Sequence, residues 1–315
     1  VLEQTWQFTS EDTLLHMLPI YHTHGLFVAC NLLAMVGGSM IFLTHFDAER
    51  ALYWMPQATS MMGVPTFYTR LLSEPMFTSD VSRHMRLFIS GSAPLLAATH
   101  IEFEDRTGHR ILERYGMTET NMSTSNPYRG ERRAGTVGMP LPGVTMRLAD
   151  EAGKIVIKGE IGTIELRGDN VFTGYWEMPE KTAESFRDDG FFITGDMARE
   201  DEDGYITIVG RDKDLIISGG LNIYPKEIES LIDAHHGVTE SAVIGVPHPD
   251  FGEGVVAILV ADDNVTADAV MAGISDKLAK FKQPKKILFV DALPRNTMGK
   301  VQKAVMRKEH EKMFS

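Results

Sequence analysis

The amino-acid sequence predicts a mixed α/β and α+β protein, in which an α/β region is followed by a small β-rich subdomain and a small α+β domain. Three observations predict this order. Apolar runs of strand length alternate with helical patterns over residues 1–127, glycines and short β-rich runs dominate residues 128–212, and strands alternate with amphipathic helices over residues 213–315. The first alternation favours a mainly parallel sheet covered by helices on both faces, with ligands at the carboxyl ends of its strands.

Four strands and three helices are expected in the first region. The apolar runs of strand length cover residues 14–20, 39–43, 58–64 and 85–89. A helical pattern covers residues 25–36, and Pro65 opens a second helix that reaches Leu72. Pro94 is expected at the first position of a third helix, which Gly108 can end.

The two later regions differ in their patterns. Short strands in the glycine-rich region are expected at residues 143–149, 162–167, 190–192 and 205–209. In the last region Pro225 begins a helix over residues 226–234 that Gly237 closes. The elements expected after it are strands at 241–246 and 255–261, a helix at 266–282, a strand at 286–290 and a basic helix from Val301.

Composition narrows the function classes. The 315 residues include 31 Lys and Arg against 43 Asp and Glu, and the net charge of −12 argues against general nucleic-acid binding. No apolar run approaches the ~20 residues that a membrane span needs, so no span is expected. A single cysteine, Cys30, excludes a disulfide framework and favours a reducing cytoplasm. A mitochondrial location stays open if a transit peptide precedes Val1, and the oligomeric state is left open.

One segment, residues 111–120, carries more chemistry than any other. An apolar turn leads into Tyr115-Gly-Met-Thr-Glu-Thr120, which places a hydroxyl, a carboxylate and another hydroxyl beside an aromatic ring. Such a set can hold a flat base, a phosphate and a divalent cation side by side. Alone, the same residues would serve equally well as a solvated loop.

Further motifs follow in a fixed order along the chain. They are Tyr21-His-Thr-His-Gly25, Gly91-Ser-Ala-Pro-Leu95, Gly174-Tyr-Trp176, Thr194-Gly-Asp196, Gly210-Arg211, Gly219-Gly-Leu-Asn-Ile-Tyr-Pro225 and Pro294-Arg-Asn-Thr-Met-Gly-Lys300. Together with residues 115–120 they resemble the adenylate-forming enzymes of the acyl-CoA synthetase type, and within that superfamily the malonyl-CoA synthetases most. The resemblance implies a two-step reaction: a carboxylate attacks the α-phosphorus of ATP, and the thiol of CoA then displaces AMP from the acyl-adenylate.

The resemblance also implies roles for single residues. The nucleotide-binding set is Gly91, Ser92, Ala93, Pro94, Tyr115, Gly116, Thr118, Asp196, Arg211 and Lys300. Glu119 matches the glutamate that accompanies Mg²⁺, and it forms the catalytic set with Thr118 and Lys300. Lys213 matches the hinge before the mobile C-terminal domain. Gly219 and Gly220 match the channel for the pantetheine arm of CoA, where the absence of Cβ atoms gives room.

Malonate carries a second carboxylate, which needs a cationic partner in the acyl pocket. Arg86 and His24 are the candidates, with Arg70 third, and Met117 suggests a small to medium acyl cavity. A structural salt bridge is the alternative for Arg86. His22 and His24 would also suit a metal ion, although hydrogen bonding is favoured because no third ligand accompanies them.

The family's phosphate-binding loop, which is rich in Thr, Ser and Gly and ends in Pro-Lys-Gly, does not occur in this sequence. The expectation is therefore an N-terminally truncated chain that adenylates poorly by itself. The expected ligands are ATP, Mg²⁺, CoA and a small carboxylic acid. The alternatives are a ligase for another small acid, an adenylation domain that loads a carrier protein, and a non-catalytic AMP-binding fragment.

Overall fold

The computed structural model describes residues 1–296 and 299–314, so Thr297 and Met298 of the last motif lie outside the described residues. The chain forms two units. The first contains Val1–Thr194 and Arg199–Ile208, and the second contains Gly195–Ala198 and Val209–Ser315.

A seven-stranded sheet in the order β2-β1-β3-β4-β5-β6-β7 forms the first unit's centre. The strands are β1 (Thr13–His16), β2 (Ser39–Phe42), β3 (Ser60–Gly63), β4 (Leu87–Ser90), β5 (Leu112–Tyr115), β6 (Thr124–Ser125) and β7 (Met139–Pro140). Strands β1 to β5 pair in parallel, and the last two pairings are antiparallel. The carboxyl ends of β4 and β5 are therefore neighbours, which matters for the site below.

Helices cover both faces of this sheet. They are α1 (Leu2–Trp6), a π-helix (His24–Cys30) continued by α2 (Asn31–Val36), α3 (Ala48–Trp54) with a 3-10 turn (Met55–Gln57), α4 (Pro65–Leu72), α5 (Ser79–Ser82) and α6 (Ala97–Thr107). A further short helix, α7 (Pro179–Glu184), lies in the glycine-rich region. Neighbouring strand residues point to opposite faces, and Leu14 and Leu15 accordingly belong to two separate apolar clusters. The predicted class, a mainly parallel sheet between helical layers, is confirmed.

Two local predictions in this unit were wrong. Residues 112–115 form a fully buried strand rather than an apolar turn, because they pair in parallel with β4 and extend the sheet. The helix expected to start at Pro94 begins at Ala97 after the extended residue Leu96. Gly108 ends that helix as expected, with φ of 76° in the left-handed region.

The glycine-rich region contributes a four-stranded sheet in the order β11-β10-β9-β8. Its strands are β8 (Thr145–Ala149), β9 (Ile161–Arg167), β10 (Phe192–Glu200) and β11 (Ile206–Arg211). The strand expected at residues 190–192 is thus longer and begins at Phe192. Glu165 is fully buried on β9, and the guanidinium groups of Arg147 and Arg187, each 2.7 Å away, neutralise it.

The second unit contains a five-stranded sheet in the order β13-β12-β15-β14, with β16 parallel to β15. Its elements are a 3-10 turn (Asp212–Asp214), β12 (Ile216–Ser218), β13 (Leu221–Ile223), α8 (Pro225–Asp233), β14 (Val238–His248), β15 (Gly252–Ala261), α9 (Ala267–Ile274), a 3-10 turn (Lys280–Lys282), β16 (Lys286–Phe289) and α10 (Lys303–Glu309). Val255 and Val256 belong to different apolar clusters, so both faces of this sheet are covered.

The helix predicted over residues 266–282 is shorter than expected and ends at Ile274. Thr266 caps its start by accepting a hydrogen bond from the Ala269 amide, as a threonine at this position does. The predicted domain boundaries at 127/128 and 212/213 stay predictions. No helix in the described part of the chain is long and apolar enough to cross a bilayer.

Candidate functional site

The turn after β4 lies at the carboxyl end of the parallel sheet. The Gly91 amide donates to the Gly63 carbonyl oxygen at 3.2 Å, which fixes the turn to the end of β3. Ser92 follows with φ of 68°, a left-handed conformation that is uncommon for a residue other than glycine. Such strain is typical of functional turns. Ala93 and Pro94 complete the turn before Leu96, which precedes α6.

A buried arginine determines why residue 91 is glycine. A Cβ atom on Gly91 would lie 2.3 Å from both Cζ and Nη1 of Arg114, closer than atoms can pack. Arg114 lies on β5, directly beside β4. The glycine therefore provides the space that the guanidinium group occupies.

Among the described residues, Arg114 has no ion-pair partner for its charge. The residue is 3% exposed, and its Nε and Nη2 have no hydrogen-bond partner among the described residues. Burial lowers the pKa of Arg114 to about 10, while Tyr68 has a smaller opposing effect. The group still carries its proton at neutral pH, so the fold holds an uncompensated positive charge at the end of the sheet. The sequence analysis did not select Arg114, although it lies one residue before the Tyr115 motif.

His24 lies in the same environment. It is 1% exposed, its Nδ1 lies 3.2 Å from Ser92 Oγ, and its Nε2 has no partner within the described part of the chain. Burial lowers the pKa of His24 well below its ordinary value, and the charge of Arg114 lowers it further. His24 is therefore neutral near pH 7 and offers hydrogen bonds rather than a positive charge.

The loop after β5 has the shape of a tight return. A Cβ atom on Gly116 would lie 1.9 Å from the Asn121 carbonyl oxygen, so only glycine allows the chain to come back this closely. The Thr120 amide donates to the Met117 carbonyl oxygen at 3.2 Å, and this closes a turn over residues 117–120. Thr118 is exposed at the tip, whereas Tyr115 is buried at the base.

Glu119 is held by a neighbour that the sequence analysis did not select. The Tyr175 hydroxyl donates to Glu119 Oε1 at 3.0 Å, and the Phe172 amide donates to the Glu119 carbonyl oxygen at 2.8 Å. Tyr175 belongs to the Gly174-Tyr-Trp176 motif, but sequence spacing alone did not indicate that its hydroxyl binds Glu119. Burial and the Glu119 carboxylate raise the pKa of Tyr175, so its hydroxyl keeps the proton that it donates.

Arg86 forms a salt bridge, which was the structural alternative to its expected role in the acyl pocket. Its Nε and Nη2 contact the two carboxylate oxygens of Asp12 at 2.6 and 2.7 Å, and its Nη1 donates to the Trp6 carbonyl oxygen at 3.1 Å. This bidentate pair uses the charge structurally. Arg70, the third candidate, is exposed on α4.

The remaining predicted site residues belong to the second unit. Asp196 is 4% exposed, and its Oδ1 lies 2.9 Å from Nε of Arg211. The pKa of Lys300 lies below its ordinary value, first because the protein partly desolvates the ammonium group, although the residue as a whole stays exposed. Arg211 and Lys213 lower it further, and Asp196 and Asp214 oppose the shift. The fold thus brings Lys300 into the field of the Asp196–Arg211 pair.

The two glycines predicted to line a channel form the turn of the β12–β13 hairpin. Gly219 and Gly220 have φ of 60° and 77°, as a two-residue hairpin turn of type I′ requires. A Cβ atom on Gly220 would meet nothing within 4 Å. The positive φ angles, rather than a lack of space for side chains among the described residues, explain why both positions are glycine. Lys213 is exposed in the preceding 3-10 turn.

No group of three or more His, Cys, Asp or Glu side chains among the described residues is arranged to hold a metal ion. His22 Nδ1 instead accepts a hydrogen bond from the His24 amide at 3.2 Å. Glu119 is partly exposed, and one carboxylate together with phosphate oxygens and waters is a usual environment for Mg²⁺. The residues therefore fit a cation that arrives with a nucleotide.

Comparisons with known proteins give matches over most of the chain. The model of the AMP-binding enzyme family matches residues 1–176, and the model of its C-terminal domain matches residues 227–300. The chain is 38% identical to a malonate–CoA ligase of Arabidopsis thaliana, over 99% of the chain and 56% of that protein. It is 38% identical to a sulfoacetate–CoA ligase of Cupriavidus necator, over 93% of the chain and 58% of that protein.

A solved structure gives a similar result. ATP-bound MatB from Rhodopseudomonas palustris matches with a TM-score of 0.98 and 61% identity, over 100% of this chain and 63% of that chain. The chain thus spans between about half and two thirds of the length of these relatives.

Replacing Gly91 with alanine tests the packing against Arg114. The added methyl group has to displace the buried guanidinium, so we expect Gly91→Ala to lower the free energy of unfolding by ~1–3 kcal/mol. Denaturant unfolding of the chain measures this. The matched control is Gly273→Ala on α9, where the nearest atom is His235 Cδ2 at 3.2 Å and alanine favours the helix. Equal stability of the Gly91→Ala variant and the parent would contradict the packing.

Proposed function

The chain belongs to the AMP-binding enzyme family, and from this premise we propose that it carries the nucleotide, acyl and thiol sites of an ATP-dependent acid–CoA ligase acting on malonate or methylmalonate. The complete reaction is proposed for a polypeptide of the relatives' length, because this chain spans only part of it. The single observation that carries the choice of acid is the buried, uncompensated charge of Arg114.

In the first step, the substrate carboxylate attacks the α-phosphorus of ATP and pyrophosphate leaves. Thr118, exposed at the tip of its turn, donates its hydroxyl to the α-phosphate. Lys300 places an ammonium group against the negative charge that develops on the phosphoryl and carboxylate oxygens. Its lowered pKa reflects partial desolvation, which strengthens such an interaction relative to water.

The nucleoside is held from several sides. The turn from Gly91 to Pro94 lies against one face of the adenine and Tyr115 against the other. Asp196 accepts hydrogen bonds from the ribose hydroxyls. Arg211 orients the Asp196 carboxylate, since its Nε lies 2.9 Å from Asp196 Oδ1. In the first unit these roles use a strand end, and in the second a carboxylate held by Arg211, so each part needs little local ordering when the nucleotide binds.

Glu119 would hold Mg²⁺, and the bound cation would supply positive charge where the phosphates approach the substrate. Tyr175 keeps the Glu119 carboxylate in place by donating to Oε1. The main-chain bond from Phe172 fixes the same residue from its other end.

In the second step, the CoA thiol attacks the acyl carbon of the adenylate and AMP leaves. The pantetheine arm passes the turn formed by Gly219 and Gly220, where no side chain projects. Lys213 provides the hinge at which the C-terminal part changes its orientation between the two steps, a hinge mechanism of the kind seen in many enzymes.

Arg114 accounts for the preference for an acid with a second anionic group. Its guanidinium has two nitrogen atoms without a partner in the described structure, which suits a carboxylate that accepts hydrogen bonds from both. His24 is neutral and can donate to the same group, while Met117 limits the cavity to short acids. A monocarboxylate would leave the charge of Arg114 unpaired, and the resulting desolvation cost disfavours it.

The Arg114→Met variant tests this assignment. The parent is a fusion of this chain with the segment of R. palustris MatB outside the matched region, called the MatB fusion below. We expect kcat/KM for malonate to fall by roughly 30- to 1,000-fold, because a buried charge pair is worth about 2–4 kcal/mol. Acetate should change by less than about 10-fold, since acetate has no group to pair with Arg114.

Two controls accompany this experiment. Arg110→Met removes an exposed arginine from the same segment and should leave both acids unaffected. Sulfoacetate and succinate, added to the panel, separate a general anion pocket from one that fits malonate. A parent fusion that prefers acetate to malonate, or an Arg114→Met variant that loses both equally, would contradict the proposed substrate.

The Lys300→Met variant tests the division of the reaction into two halves. Removing a preorganised positive charge typically lowers a rate by ~10²–10³-fold, and we expect that loss in ATP-dependent formation of malonyl-adenylate by the MatB fusion. Thiolysis of pre-made malonyl-adenylate by CoA should stay within about two-fold. Lys308→Met, on the exposed side of α10, is the matched control. Unchanged adenylate formation in Lys300→Met would refute the role given to this lysine.

A further inference from the structure

Lys300 is held at the end of a short hairpin. Arg295 and Val301 form an antiparallel bridge, and the Asn296 amide donates to the Lys300 carbonyl oxygen at 3.0 Å. The Lys300 amide donates in turn to Asn296 Oδ1 at 3.0 Å, and the Gln302 amide donates to the Pro294 carbonyl oxygen at 2.8 Å. The backbone of Lys300 is thus fixed to the residues that lead directly into α10.

Helix α10 is attached to the rest of its unit at two points on one face. Lys303 Nζ lies 2.5 Å from Glu229 Oε1, and Arg307 Nη2 lies 2.5 Å from Asp214 Oδ1. Positions four residues apart lie one above the other on a helix, and the 2% exposed Met306 anchors the same helix in the core. Since α10 follows the hairpin without a break, these contacts also determine where Lys300 lies.

Asp214 connects the turn that contains the proposed hinge residue with helix α10. It is the last residue of the 3-10 turn Asp212–Asp214, directly after the proposed hinge residue Lys213. Its carboxylate binds Arg307 on α10, and it is also among the charges that act on the Lys300 ammonium group. The contact partner on α10 therefore lies 93 residues away in sequence, which explains why sequence spacing did not reveal it.

We propose that the Asp214–Arg307 ion pair fastens the hinge turn to α10 and makes both residues positioning residues for Lys300. The pair is part-buried, with side chains 20% and 27% exposed, so it keeps more of its strength than a fully exposed pair. The ion pair holds the hinge turn Asp212–Asp214, helix α10 and the hairpin that carries Lys300 together. A change of backbone conformation at Lys213 therefore moves all three as one element. The inference rests on the proposed function, in which Lys300 acts in the adenylation step.

A double-mutant cycle in the MatB fusion tests the pair. Arg307→Gln removes one partner without placing a new charge near Lys300, and we expect it to lower the rate of malonyl-adenylate formation on the order of 10-fold. Arg307→Lys, which keeps the charge, should recover most of the loss. Asp214→Asn should lower the rate at least as much, because it also removes a negative charge that acts on Lys300.

The double variant Asp214→Asn with Arg307→Gln should be no slower than Asp214→Asn alone, since the pair is already broken. Thiolysis of pre-made malonyl-adenylate should stay within about two-fold in every variant, a result that a merely structural role would not give. The matched control is the exposed pair Arg110–Glu104, whose neutralisation should leave both half-reactions unchanged.

Three results would overturn the inference: adenylation equal to the parent in Arg307→Gln, additive losses in the double variant, or equal losses in both half-reactions. A parent fusion that forms no malonyl-adenylate would contradict the proposed function itself. The two failures are therefore distinguishable.

Discussion

A positive charge without a partner lies at the end of the parallel sheet of the first unit. Burying a charge costs several kcal/mol unless a counter-charge offsets it, and Arg114 has none within the described structure for its Nε and Nη2. The residue that follows the neighbouring strand β4 is Gly91, because any side chain there would collide with the guanidinium. Burial lowers the pKa of His24 and keeps it neutral, and the same charge opposes its protonation further. A fold that maintains such a cost is prepared for an anion, and the second carboxylate of the proposed substrate would meet that requirement.

The charges of the second unit are arranged differently. Asp196 already has Arg211 as its partner, and Asp214 has Arg307. Lys300 lies in the field of the Asp196–Arg211 pair and of Asp214 and Lys213, so two positive and two negative groups act on it. Among the described residues its ammonium group has opposing charges around it rather than one strong ion pair. A lysine held this way is available to a transferring phosphoryl group, where a permanently paired lysine would first have to break a bond.

Much of the fold could be predicted from the sequence, because local patterns determine it, whereas the predicted site residues stay predictions. Strands β1, β2 and β3 were recognisable from the apolar runs at 14–20, 39–43 and 58–64, although β1 already ends at His16, and the helix at 65–72 was recognisable from its proline. Long-range partners were not predictable. The sequence left open whether Arg86 lies in the acyl pocket or forms a structural salt bridge, and it did not show the partner Asp12, 74 residues away. Arg114 was missed because residues 112–115 were interpreted as a turn, and only the register with β4 shows that the side chain lies beneath Gly91.

The most direct test of the central claim is a crystal structure of the MatB fusion with a non-hydrolysable malonyl-adenylate analogue. The account predicts the distal carboxylate within ~3 Å of Nε or Nη2 of Arg114, with Arg86 still bound to Asp12. A distal carboxylate bound to another group, with the Arg114 guanidinium left without a partner, would contradict it.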